Sequence, residues 1–199
     1  MSTLTGAPVH ELIRDRWSRR AISSAPIDGD TLASLLEAAR WAASSMNEQP
    51  WRFLVADRQR DPQTHARIVS MLAPFNAAWA QRAPVLIVVV AKTHFTRNDA
   101  VNRHAWYDTG AAVAQLSLQA TALGLGVHQM GGFDAAQART VLNIPDGFEP
   151  VVVLAIGYPG DAASLTEELR ARELSPRQRR PLTELVYEGA WGEVTGGRH

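Results

Sequence analysis

A chain of 199 residues, 46% hydrophobic and 20% charged, is sized for one folded domain with a real core. Its 20 basic side chains balance 20 acidic ones, which gives no general attraction to nucleic acid or an anionic membrane and little to keep copies apart. The absence of cysteine excludes disulfides, thiolate nucleophiles and cysteine-ligated metals, so any redox chemistry needs a borrowed cofactor. Residues 1–8 lack a charged stretch followed by an apolar run. The longest apolar run, 84–91, falls far short of the ~20 residues that span a bilayer. A cytoplasmic protein is expected.

Residues 9–17 predict a short amphipathic helix with Val9, Leu12, Ile13 and Arg16 on one side. It leads into Arg16-Trp17-Ser18-Arg19-Arg20, a dense cationic stretch. Guanidinium forks match phosphate geometry, and the Ser18 hydroxyl adds a donor. A solvated surface cluster has the same composition. Asp28-Gly29-Asp30-Thr31 reads as a helix start with Asp30 as its N-cap. Leu32, Leu35, Leu36, Ala39 and Ala43 then recur at helical spacing and predict one buried face. This helix delivers the chain to Ser44-Ser45-Met46-Asn47-Glu48-Gln49, closed by Pro50 and Trp51. Serine, asparagine and glutamine carry donors and acceptors on short stems, which suits a flat ligand with polar edges. A plain helix-to-strand connection is polar too. Residues 52–56 predict a strand.

Asp61-Pro62 starts another helix, with proline at the first helical position. It runs to about residue 72, Ala73-Pro74 breaks it, and residues 75–81 add a turn or two. Phe75 and Trp79 fit core packing or a pocket wall. The continuous apolar run 84–91 predicts a strand covered on both faces, hence a sheet with helices on each side. Residues 94–103 are polar and irregular, as in a surface loop. Residues 105–123 predict the longest helix, apolar on nearly all sides. Gly110, Ala111, Ala112 and Ala114 would let another helix approach closely, from this chain or a second copy. Gly124 and Gly126 end it.

Residues 127–130 are strand-like, and His128 fits a structural role or an acid–base one. Gly131-Gly132 follows, then Asp134 caps a helix through residue 142. Two glycines before a helix let a ligand approach the backbone, and they also make an ordinary turn. Residues 144–147 form a turn and 151–156 a second buried strand. Residues 166–174 are charged, helical or mobile. Pro176-Arg177-Gln178-Arg179-Arg180-Pro181 is a second basic cluster, either a solvated tail or part of an anion site. Trp191 is expected to anchor the C-terminal tail.

Residues 44–53 resemble the SSxNxQPWxF signature of the nitroreductase family, the FMN-dependent NAD(P)H oxidoreductases. Arg16, Ser18 and Arg20 match that family's R-x-S-x-R/K pattern, Gly131-Gly132 its glycine turn, and Arg177 with Arg179 its K/R-x-R segment before a proline. The resemblance runs from about residue 9 to 192. It implies an α+β fold with a central mixed or antiparallel sheet flanked by helices, in an intertwined homodimer. It implies one domain over 1–199, with an arm of about 176–199 packed on the partner subunit.

The resemblance also implies bound FMN with NAD(P)H as co-substrate. Arg16, Arg177 and Arg179, with Trp17 and Ser18, would grip the phosphate, and Arg20 would lie nearer the ring and tune its potential. Ser44, Ser45, Asn47 and Gln49 would reach the flavin held by the other subunit. The Gly131 and Gly132 amides would face N5. A ping-pong hydride transfer to nitroaromatics, quinones or activated alkenes follows, with no catalytic side chain, no metal and protons from solvent or a hydroxyl. Ala43 departs from the proline of many members, and Gly131 from a glutamate that helps hold nicotinamide in one branch. The alternative is a non-catalytic flavin or nucleotide-binding module sharing the site. A basic surface for nucleic acid or an acidic protein is a third reading, opposed by the zero net charge.

Overall fold

The computed structural model describes residues 7–193. Its helices are α1 (Glu11–Asp15), α2 (Gly29–Arg40), α3 (Pro62–Ser70), α4 (Pro74–Ala80), α5 (Ala105–Ala122), α6 (Ala135–Val141) and α7 (Glu167–Leu174). Its strands are β1 (Trp51–Asp57), β2 (Val85–Lys92), β3 (Gly126–Met130) and β4 (Phe148–Gly157). They form one four-stranded sheet in the order β1-β2-β4-β3. Every pairing is antiparallel, so of the mixed or antiparallel sheet expected, the described residues form the antiparallel one.

The sheet lies between two helical layers, as the unbroken apolar run of β2 requires. Successive strand residues point to opposite faces. Leu86, Val88 and Val90 enter one core with Ile68 of α3, Trp79 of α4, Ala138 of α6 and Leu169 of α7. Val85, Ile87 and Val89 enter the other with Leu35 of α2 and Leu116 of α5. The register between β2 and β4 shifts where Val89 pairs with Val152 but Val90 with Pro150. Proline has no N–H to give to a ladder, so a bulge falls there.

Several expectations are corrected by the packing. Asp28, not Asp30, caps α2: its Oδ1 accepts the Thr31 N–H at 2.7 Å and its Oδ2 the Thr31 hydroxyl at 2.7 Å. The helix ends at Arg40, so Ala42 is buried and Ala43 is exposed. α1 is shorter than expected, and its Val9 and Ile13 side remains 54% and 56% exposed. α5 buries one stripe, including Thr109, Ala112, Val113 and Leu116, rather than nearly all sides. Gly110 and Ala114 face outward. Gly126 opens β3 rather than closing α5. The 94–103 segment is tied by a bridge between His94 and Val101 and contains the fully buried Asn102. Residues 167–174 are helical, and Thr166 caps them through its hydroxyl, which accepts the Leu169 N–H at 3.4 Å. Trp191 is 91% exposed and stacks only on the Tyr187 ring, at 5.0 Å, so it anchors no tail among the described residues.

A strap of backbone carries the first arginine run to the sheet. Ile22 bridges Pro159, the Ser23 N–H donates to the Tyr158 carbonyl, and the Gly160 N–H donates to the Ala21 carbonyl, both at 2.8 Å. A Cβ on Gly160 would stand 2.9 Å from the Ile22 carbonyl carbon, so only glycine admits this approach.

Candidate functional site

The strap leaves residues 16–20 along β3, the sheet's edge. The Arg19 carbonyl faces His128 Nδ1 at 3.1 Å. A carbonyl only accepts, so the neutral ring carries its proton on Nδ1. The imidazole also packs on the Trp79 ring, with centroids 4.6 Å apart. His128 is therefore structural. Burial first, and the Arg20 charge second, push its pKa down to about 4.

A depressed histidine pKa has a definite sign. The unfolded chain, titrating near ~6.5, binds the proton more readily than the folded one. Stability is therefore unaffected above pH ~6.5, falls as the pH drops, and reaches its full loss below about 4, at roughly 3 kcal/mol. Urea denaturation between pH 4 and 7 should show this fall. His128→Gln, which keeps a donor for Arg19, should flatten it.

The second basic cluster closes on the first. Arg177 Nη1 donates to the Arg16 carbonyl at 2.9 Å, and its guanidinium lies 4.7 Å over the Trp17 ring. Arg16 Nη1 donates to Ser18 Oγ at 3.2 Å, so that hydroxyl serves as an acceptor here. Burial, then the charges of Arg177 and Arg179, lower the Arg16 pKa. Among the described residues no carboxylate pairs with Arg16, Arg177 or Arg179. Three neighbouring cations without a counter-charge fit an anion of about two charges, such as a phosphomonoester.

Arg20 sits beside this cluster. Its N–H donates to Glu173 Oε2 at 2.8 Å, while its Nε is buried without a partner. Its guanidinium lies 5.9 Å over the Phe75 ring, which Arg172 also overlies at 4.8 Å. Asn76, next to Phe75 on α4, donates through Nδ2 to the Gly132 carbonyl at 3.0 Å. The Ala73 N–H donates to the same carbonyl at 2.9 Å. Neither the Gly131 nor the Gly132 amide donates a hydrogen bond among the described residues. Beyond Gly131 and its two chain neighbours, no described atom lies within 4 Å of where a Gly131 Cβ would be. A buried orphan donor, free amides and open space suit a ring with carbonyl and imine acceptors.

The 44–49 loop is built differently. Met46, Asn47 and Gln49 have φ of 55°, 54° and 51°, the left-handed region. Such residues cost about 1–3 kcal/mol each and persist only when neighbours hold them. The Ser45 N–H donates to Asp108 Oδ2 at 2.9 Å, and the Gln49 N–H to Ser44 Oγ at 3.0 Å. Glu48 pairs with Lys92 at 3.0 Å and accepts the Thr96 N–H at 2.9 Å. Gln49 Nε2 donates to Asn47 Oδ1 at 3.2 Å. Asp108→Ala should therefore cost about 1–2 kcal/mol, from leaving the half-buried Ser45 N–H unpaired, read by urea denaturation. Asp108→Asn keeps an acceptor and should recover most of it.

The structure thus brings Arg16, Trp17, Ser18, Arg20, Gly131, Gly132, Arg177 and Arg179 to one edge of the sheet. It does not bring Ser44, Ser45, Asn47 and Gln49 to them. Their loop enters β1, three strands away from β3. At ~4.8 Å per spacing the strands β1 and β3 stand about 14 Å apart. Asp108, Glu173 and Asn76 had not been singled out. Asp108 left one signal, an acid within an apolar helical stripe; Glu173 left none in a helix rich in charge.

Two covered sheet faces with a phosphate-sized cation cluster at one edge define an α+β protein with a candidate anion site. The Nitroreductase family model matches residues 13–158, and the chain belongs to that family of oxidoreductases. A crystal structure described as an oxidoreductase containing FMN superposes with a TM-score of 0.89 at 35% identity, covering 95% of this chain and 96% of that one. A protein from Desulfovibrio desulfuricans solved in complex with FMN gives a TM-score of 0.72 at 29% identity, covering 94% of this chain and 99% of that one. A relative from Thermus thermophilus named NADH dehydrogenase is 28% identical over 202 residues, 86% of this chain and 91% of its own. Among the described residues no helix is long and apolar enough to cross a membrane.

Proposed function

We propose that this protein is a homodimeric FMN-dependent NAD(P)H oxidoreductase acting on nitroaromatic, quinone or activated-alkene acceptors. The observation that carries the reading is the meeting of Arg16 with Arg177 and Arg179, unpaired by any described carboxylate. In this reading these three arginines and Ser18 hold the phosphate, and the Trp17 ring props Arg177. Arg20 serves one edge of the flavin, and the Gly131 and Gly132 amides another. Bound FMN would supply the hydride-transfer chemistry of a ping-pong reaction between NAD(P)H and the acceptor. The chain supplies binding and orientation, and no side chain need act as a base.

The 44–49 loop of a second copy completes the site, because the loop of the same chain lies across the sheet. Exposed apolar groups support this assembly: Val9 and Ile13 on α1, Met46 in the loop, Trp106 and Tyr107 on α5. Gly110 and Ala114 would let the α5 helices of two copies approach. The whole of 1–199 forms one domain whose arm, about 176–199, packs on the partner; residues 1–6 and 194–199 lie outside the described residues. The interface is expected to bury more than about 2,000 Å².

The test is an absorption spectrum of the purified protein with added FMN. Bound-flavin bands support the proposal; a protein that gains none defeats it. Stopped-flow mixing of the loaded protein with NADH or NADPH then separates enzyme from carrier. Fast bleaching marks the oxidoreductase, and its absence the non-catalytic module. A screen of acceptors against the reduced protein names the substrate.

A further inference from the structure

We propose that Glu173 sets the redox potential of the bound cofactor through Arg20, an inference that rests on FMN occupying the site described above. Helix α7 reads Glu-Glu-Leu-Arg-Ala-Arg-Glu-Leu, and its other charged side chains are exposed. Glu173 is only 6% exposed, one turn after the buried Leu169, at a position where an apolar residue would pack. A carboxylate in such a place costs free energy unless its charge is used.

The way it is used is specific. Glu173 Oε2 accepts the backbone N–H of Arg20 at 2.8 Å, and Oε1 is buried without a partner. No ion pair forms between Glu173 and the Arg20 guanidinium, whose Nε is likewise buried and unpartnered. A direct fork-to-carboxylate pair would have occupied the cation. Here the carboxylate fixes the Arg20 backbone and leaves the guanidinium for a ligand. The two charges still feel each other, since Glu173 acts to raise the Arg20 pKa against burial and Arg172. Arg172 is itself paired with Glu168 at 3.0 Å.

Reduction adds negative charge to the flavin. A cation at its edge favours that change, and a fixed carboxylate behind the cation opposes it. Glu173 is therefore a positioning residue that holds Arg20 in place and moderates its field. It keeps the cofactor a stronger reductant than Arg20 alone would allow.

The experiment measures the FMN dissociation constant and the midpoint potential of the bound cofactor for wild type and two variants. Glu173→Gln keeps the shape and an oxygen for the Arg20 N–H but removes the charge. Its potential should move positive by about 30 mV, the two-electron equivalent of a tenfold stronger preference for reduced over oxidised FMN. A purely structural cap predicts no shift, and an unchanged potential overturns the inference. Arg20→Gln keeps Glu173 and its bond to the backbone, and should move the potential negative. No shift there overturns the inference as well, because Glu173 acts only through Arg20. Wild-type protein that binds no FMN refutes the proposed function itself, and the inference falls with it. Tight FMN binding with unmoved potentials refutes only the role of Glu173.

Discussion

Replacing Arg16 and Arg179 together by alanine is expected to weaken FMN binding by about 3–6 kcal/mol, a hundredfold or more in dissociation constant. Each charge-assisted bond to a phosphate contributes about 1.5–3 kcal/mol. The pair is chosen because neither guanidinium meets a protein carboxylate among the described residues. Without ligand, Arg16 and Arg179 repel each other and Arg177. The double variant should thus lose affinity while the ligand-free protein keeps or gains stability. Fluorescence titration of FMN gives the first quantity and thermal unfolding of the ligand-free protein the second. An unchanged dissociation constant would mean that the phosphate lies elsewhere.

Trp79→Ala is expected to destabilise the protein by about 3–5 kcal/mol, the range for emptying an aromatic core position. Trp79 is 2% exposed, in the core with Met71, Leu86, Val88 and Met130. Its ring also supports His128, whose Nδ1 meets the carbonyl of Arg19. The cavity would open beneath β3, along which the arginine run lies, so weaker cofactor binding should accompany lower stability. Trp79→Phe should cost less than alanine does. It retains most of the volume and deletes an indole Nε1 that has no hydrogen-bond partner. Denaturant midpoints of the two variants give the comparison. A loss below about 1 kcal/mol for alanine would show that this position is not core.

What could be read beforehand was what depends on local pattern. The run 84–91 announced a two-sided strand because its neighbours in sequence leave no polar face, and β2 is buried on both faces. Asp134 and Pro62 mark their helix starts because caps and first-turn prolines act within three residues. At α2 the same rule pointed to Asp30, two positions late, whereas Asp28 caps the helix by accepting the Thr31 N–H.

The arginine runs and the polar loop were visible as residues, yet their grouping came from the family resemblance alone and not from any spacing. Which of them share an edge follows from strand order, which no local spacing encodes. Asp108 and Glu173 escaped notice because their meaning is a single long-range bond each, to Ser45 and Arg20. α5 looked enclosed because small residues lie on its exposed side as well, Gly110 and Ala114 among them.

If two copies share the site as proposed, the width of the sheet makes occupancy and assembly two faces of a single equilibrium. In the proposed pair of subunits, an isolated chain grips the phosphate yet leaves much of the ring to water. Anything that binds only the associated state stabilises that state by mass action. Loading then tightens the pair, and dilution loosens the cofactor, with no lid or hinge required. On that proposal, a colourless monomer and a yellow dimer would be the limits of one reversible scale.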